Sequence, residues 1–292
     1  MPKGISLHVG INQASSAFPN AATLKGCEND AREMEKIAVA KGFDTHDLLL
    51  GSEATYVRVT TKIRNAAAQL EKDDIFLFTF AGHGFQEVDR RPDRDEADRL
   101  DETLLLFDVE LFDDVLRKDL WPCFKAGVRI LMIADSCHSE NVFRLSPDPA
   151  APQLHANAAA DVDLSAIDEF LVRTPDLLTA RRISNATGRL HQAEYGEFYR
   201  NTRLPLVGPA INASAILLAA CKSSQTTGDG TPNGIYTAAM LKVLRDSAPV
   251  NYKDLVEKIQ AELTAAGRPQ NPTIEFAGAD DPIFREQRPF TV

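Results

Sequence analysis

Several common protein classes are excluded by what this sequence lacks. It has only four cysteines in 292 residues, Cys27, Cys123, Cys137 and Cys221. None forms a Cys-x-x-Cys pair and none stands at a zinc-binding spacing, so neither a disulfide scaffold nor a zinc site is expected. No run of 18 apolar residues occurs, which argues against a membrane-crossing helix. Positive charge is in the minority: 32 Lys plus Arg stand against 42 Asp plus Glu, a formal net charge of −10. Such an acidic surface is a poor match to nucleic acid and a better one to basic ligands. The opening residues MPKGISLHVGIN lack the long apolar core and small-residue cleavage site of a secretory leader. A reducing cytoplasm is therefore the expected compartment, where a reactive thiol can persist. Internal repeats and low-complexity tracts are absent as well.

What is present is ordinary for a globular chain, with 44% hydrophobic and 25% charged residues. Apolar runs at 4–11, 43–50, 74–80, 128–134 and 214–220 read as strands. A short strand is expected at 103–107 and a last one at 273–276. Helical spacing predicts helices at 22–41, 56–70, 114–126, 236–245 and 253–266. Strands that are apolar throughout and alternate with helices predict an α/β fold, a mostly parallel sheet covered on both faces. A charged loop is expected at 87–101. The pattern weakens from 140 to 213, a stretch that carries Pro147, Pro149, Pro152, Pro175, Pro205 and Pro209.

Ligands of such sheets bind beyond the carboxyl ends of the strands. Two polar segments start there: AGHG at 81–84 and DSCHS at 135–139. His83 lies between Gly82 and Gly84, which leave room for a close backbone approach; alone, it reads equally well as an incidental residue of a tight turn. Cys137 taken alone reads as a small buried hydrophobe, as do Cys27, Cys123 and Cys221. Together the pair says more. A thiolate is the nucleophile and a nearby imidazole can take the thiol proton. Loops after neighbouring parallel strands bring such residues together although they are far apart in sequence. His138 follows Cys137 directly, and its side chain is expected on the opposite face, in a structural role.

FAGHG (80–84) and DSCHS (135–139) resemble the His and Cys motifs of metacaspases and of their bacterial relatives, the orthocaspases. GCEND at 26–30 resembles the element on the first helix of that family. DET at 101–103, Asp113-Asp114, and AACKSSQ at 219–225 followed by GIY at 234–236 resemble further elements, in the family's order. The nucleophile motif of true caspases is absent. The resemblance implies a caspase-like fold with a six-stranded sheet and helices on both faces. It implies one peptidase domain: a dyad-bearing half at 1–139, a linker at 140–213 and a smaller half at 214–292.

The resemblance also implies roles. Cys137 attacks the scissile carbonyl, His83 is the base, and backbone N–H groups of Gly84 and Cys137 hold the oxyanion. Asp30, Asp135 and Cys27 line a pocket for Arg or Lys at the P1 position of a peptide substrate, where charge-assisted bonds are strong. Read without the resemblance, Asp30 is a solvated helix-face acid and Asp135 a loop hydrogen-bonding residue. Ala81 departs from the serine common in the family. No cofactor is needed for the chemistry. Calcium as an activator is implied by Asp101, Asp113 and Asp114, which also read as solvated acids near a helix start, while Arg144 stands where the family has a fourth acid. Arg181 and Arg182 are candidate self-cleavage points for an Arg-directed enzyme, or part of a surface insertion that is never cut. A monomer is expected, with no nucleic-acid or membrane partner. Alternative readings are a catalytically silent binding module of the same fold and a hydrolase of small esters or amides.

Overall fold

The computed structural model describes residues 2–18, 21–88, 100–136, 208–222 and 225–292, and excludes the side chains of 86–88, 100 and 101. Cys137, His138, Arg144, Arg181 and Arg182 lie outside the described residues, as does most of the 140–213 linker.

Among the described residues six strands form the main sheet: β1 (Gly4–Gly10), β2 (Thr45–Leu50), β3 (Ile75–Ala81), β7 (Arg129–Asp135), β8 (Ser214–Ala219) and β9 (Thr273–Gly278). Their order is β2-β1-β3-β7-β8-β9, with every neighbouring pair parallel except β8 and β9. The sheet is thus the expected mostly parallel α/β sheet. β7 and β8 come from either side of residues 137–207 and pair directly. A second, antiparallel sheet joins β4 (Gly84–Val88), β5 (Leu100–Leu105) and β6 (Glu110–Phe112). The sequence pattern predicts neither β4 nor β6, both too short to show a period.

Side chains alternate between the two faces of each central strand. On one face Val9, Phe78, Met132 and Leu217 pack against Val59 and Ile63 of α2 (Tyr56–Gln69) and against Trp121. The rings of Phe76 and Phe78 meet Trp121 nearly edge-on, at centroid distances of 6.5 and 6.3 Å. On the other face Leu77, Leu131 and Ile216 pack against α1 (Cys27–Ala40), α4 (Ile235–Asp246) and α5 (Tyr252–Ala265). Each fully buried side chain of this kind contributes roughly 1.5–3 kcal/mol. A short α6 (Pro282–Glu286) closes the chain and buries Phe284.

Two helices depart from their predicted bounds for identifiable reasons. α1 starts at Cys27 instead of residue 22, because the preceding amides are bonded elsewhere. Leu24 N–H donates to the Asn12 carbonyl (2.7 Å), and Lys25 and Gly26 N–H donate to the Asp229 carboxylate at 2.6 and 3.1 Å. The helix predicted at 114–126 has one α-helical turn, α3 (Asp113–Val115). It widens to a π-helical Leu116–Leu120 and ends as a 3-10 turn, Trp121–Cys123. Pro122 lacks an N–H, and its ring crowds the carbonyl four residues earlier, which ends α geometry upstream of it.

Candidate active site

Three segments meet at the carboxyl ends of the central strands. The first follows β3. Ala81 is its last residue and pairs in register with Asp135, the last residue of β7. Gly82 N–H also donates to the Asp135 carbonyl (3.4 Å). His83 therefore sits two residues beyond a paired position. Its side chain is buried, and its Nε2 is 2.7 Å from the Ala22 carbonyl. A carbonyl can only accept, so Nε2 carries the proton, and in the neutral ring the lone pair is on Nδ1. The backbone carbonyl of His83 accepts from Leu105 N–H (3.0 Å), which ties it to β5.

The second segment is the start of α1. Cys27 is buried and packs with Leu24 and Ala81. Asp30, one turn on, is fully buried, so its reading as a solvated helix-face acid is corrected. Its Oδ1 accepts from Asn233 Nδ2 (2.9 Å) and from Gly234 N–H (3.1 Å).

The third segment is the turn from β8 into α4. Asp135 is buried, and its Oδ2 accepts from Thr237 N–H (3.1 Å) and Thr237 Oγ1 (2.7 Å). Its Oδ1 accepts from Thr227 Oγ1 (3.4 Å), which is 3.2 Å from Gln270 Nε2. Gln270 Nε2 also donates to the Ala220 carbonyl (3.3 Å). Asp30 and Asp135 thus converge on the first turn of α4, whose unbonded amides favour negative charge. Burial first and the Asp135 charge second push the Tyr236 hydroxyl pKa up, so it stays protonated. Among the described residues that hydroxyl has no hydrogen-bond partner.

The site therefore brings together His83, Cys27, Asp30 and Asp135. Thr227, Asp229, Asn233, Thr237 and Gln270 support it and carry no local sequence signal, since their partners lie 43 to 204 residues away. Gly84 is the first residue of β4. Cys221 is buried, as expected, but Cys123 is exposed and its thiol donates to the Asp119 carbonyl (3.1 Å). Asp113 and Asp114 are buried rather than solvated. Among the described residues no group of three His, Cys, Asp or Glu side chains could hold a metal ion. No described helix is long and apolar enough to cross a membrane.

Comparison with known proteins agrees with this fold. The caspase-domain family model matches residues 4–284. Metacaspase-1 of Kluyveromyces lactis is 27% identical over 283 residues, covering 89% of this chain and 63% of that protein. Metacaspase-1A of Aspergillus clavatus is 26% identical over 280 residues, covering 88% and 62%. The chain spans about three fifths of the length of these curated relatives. A crystal structure of a Geobacter sulfurreducens protein superposes with a TM-score of 0.78 at 31% identity, covering 100% of this chain and 99% of that one. Caspase-1 of Spodoptera frugiperda shares the fold at 14% identity, with a TM-score of 0.53 and coverage of 94% and 86%.

Proposed function

The chain belongs to the caspase-domain family, and from that premise we propose that it is a cysteine endopeptidase cleaving after Arg or Lys, with Cys137 as nucleophile and His83 as base. One observation carries the reading. Ala81 pairs with Asp135, and His83 and Cys137 each follow a member of that pair by two residues. Adjacent parallel strands are about 4.8 Å apart, so equal extensions from both start within reach of each other.

The anchored Nε2–H leaves Nδ1 as the basic atom of His83. It takes the thiol proton as Cys137 Sγ bonds to the scissile carbonyl carbon. Backbone N–H groups of Gly84 and Cys137 hold the resulting oxyanion, a contribution of a few kcal/mol per donor. The C–N bond then breaks, and the imidazolium returns its proton to the leaving amine. Water attacks the thioester, its proton passes to His83, and the thiol is restored as the acid product leaves.

Asp30 and Asp135 supply the basic preference. Buried carboxylates gathered at one helix start favour a guanidinium or ammonium over a neutral or acidic side chain. Cys27 and Ala81 form an apolar wall beside them. The net charge of −10 also attracts cationic peptides. Self-cleavage at Arg181 or Arg182 follows from the same preference.

Fluorogenic peptides ending in Arg, Lys or Asp test the assignment. Wild type is expected to turn over the Arg and Lys peptides and Cys137→Ala none of them. Failure on the basic peptides refutes the reading, and turnover of the Asp peptide refutes the pocket assignment. Gels comparing wild type with Cys137→Ala decide self-cleavage: two fragments are expected from wild type only.

A further inference from the structure

The turn at α3 carries a buried charge cluster that the reaction does not use. Asp113 and Asp114 are buried, and so are Arg117 and Lys118 on the widened segment that follows. A buried carboxylate is tolerated only when paired. Asp114 is paired twice over. Its Oδ1 accepts from Arg117 Nη2 and lies 3.1 Å from Lys118 Nζ, which is also 3.2 Å from Oδ2. The spacings of three and four residues place both cations over the acid within one helical stretch.

We infer that Arg117 and Lys118 are resident counter-cations of Asp114, standing in this corner of the fold where a bound divalent cation would otherwise neutralise it. Together the two side chains carry the charge of one such ion. Calcium needs six to eight oxygens around it, yet both oxygens of Asp114 already face an ammonium or guanidinium. The residues present do not fit calcium.

The cluster also has a route to the catalytic centre. α3 continues directly from β6, β6 pairs with β5, and Leu105 of β5 bonds the His83 carbonyl. A cation built into the chain keeps this support in place permanently, so the site is assembled at any calcium level.

Calorimetry and thermal melts of the intact chain test the inference without substrate, so they are separable from failure of the peptidase assignment. Wild type is expected to give no saturable heat up to about 5 mM CaCl2, several-fold above the weak end of calcium affinities at about 1 mM, and the same melting midpoint in EDTA and in calcium. Arg117→Gln/Lys118→Gln is expected to melt lower in EDTA and to recover in calcium, because an ion that binds only the folded state raises its midpoint. Lys118→Arg is expected to melt like wild type. If the double variant does not fold in either buffer, Lys118→Gln is measured in the same way. A one-to-one calcium heat in wild type that Asp114→Asn abolishes overturns the inference. So does a double variant (or Lys118→Gln in its place) that melts like wild type in EDTA, or one that is destabilised and ignores calcium.

Discussion

His8 makes the stability of the sheet depend on pH in a calculable way. It lies on β1, fully buried, with Nδ1 2.9 Å from Thr79 Oγ1 and Nε2 2.9 Å from Ser6 Oγ. The two hydroxyls serve the neutral ring, one as donor and the other as acceptor. Burial first, and His46 second, push its pKa down to about 3 from the ordinary 6.5. In the unfolded chain the ring titrates near its ordinary value, so below that value the unfolded state binds more protons than the folded one. Stability is then complete above about pH 6.5 and is lost as pH falls toward 3. The full loss is about 5 kcal/mol at 1.36 kcal/mol per unit, of which about 2 kcal/mol has gone at roughly pH 5. Urea unfolding at about pH 7.5 and pH 5 measures it, with a midpoint expected to fall by roughly 0.7–1 M at a slope of about 2–3 kcal/mol/M. Carboxylates titrate over the same range, so His8→Gln is the control: it keeps a donor and an acceptor but no proton equilibrium. Wild type should lose about 2 kcal/mol more than the variant across that interval. Equal losses in the two proteins would refute the reasoning.

Tyr236→Phe should raise thermal stability by about 1 kcal/mol, since it removes a buried hydroxyl that has no partner among the described residues; a lower melting midpoint would contradict this. Gln270→Leu strips support from Thr227, and through it from Asp135. It should cost about 1–3 kcal/mol and raise KM for Arg peptides more than it lowers kcat; an unchanged KM would remove Gln270 from the positioning network. Gly10→Ala places a Cβ 2.5 Å from the Cys27 carbonyl oxygen and 2.9 Å from Ala31 Cβ. The resulting overpacking between β1 and α1 should cost about 1–3 kcal/mol by chemical denaturation, and a neutral result would mean that α1 shifts freely.

The central strands were legible in the sequence because they are buried on both faces. β1, β3, β7 and β8 read as predominantly apolar runs, and their observed ends lie within one residue of the predicted ones. α2, α4 and α5 were equally legible from their periodic apolar faces. β4, β6 and the 113–123 segment were not, being too short or too irregular for any period to register. Within the site, His83 and Asp135 could be placed because each sits where an apolar run stops. Asp30 could not be placed by pattern. A polar residue on an amphipathic helix reads as solvated, and the distant turn holding Asn233 and Gly234, which helps to make its burial tolerable, lies outside any local pattern. Thr227 and Gln270 were invisible for the same reason: a hydroxyl and an amide in loops acquire meaning only from the tertiary partners they find.

The α4 start that gathers Asp30 and Asp135 also sets a schedule. Its bonds reach back 203 residues to Asp30 and 102 to Asp135. On the ribosome, β1, α1, β3 and β7 are all made while the turn at 227–237 is still unsynthesised. In a nascent chain of that length Asp30 and Asp135 therefore lack the partners that this turn supplies. Closing such long loops is the slow part of folding. The network around Asp30 and Asp135 is consequently completed late, and a translation product that ends before residue 227 carries both acids without the partners that hold them in the folded chain.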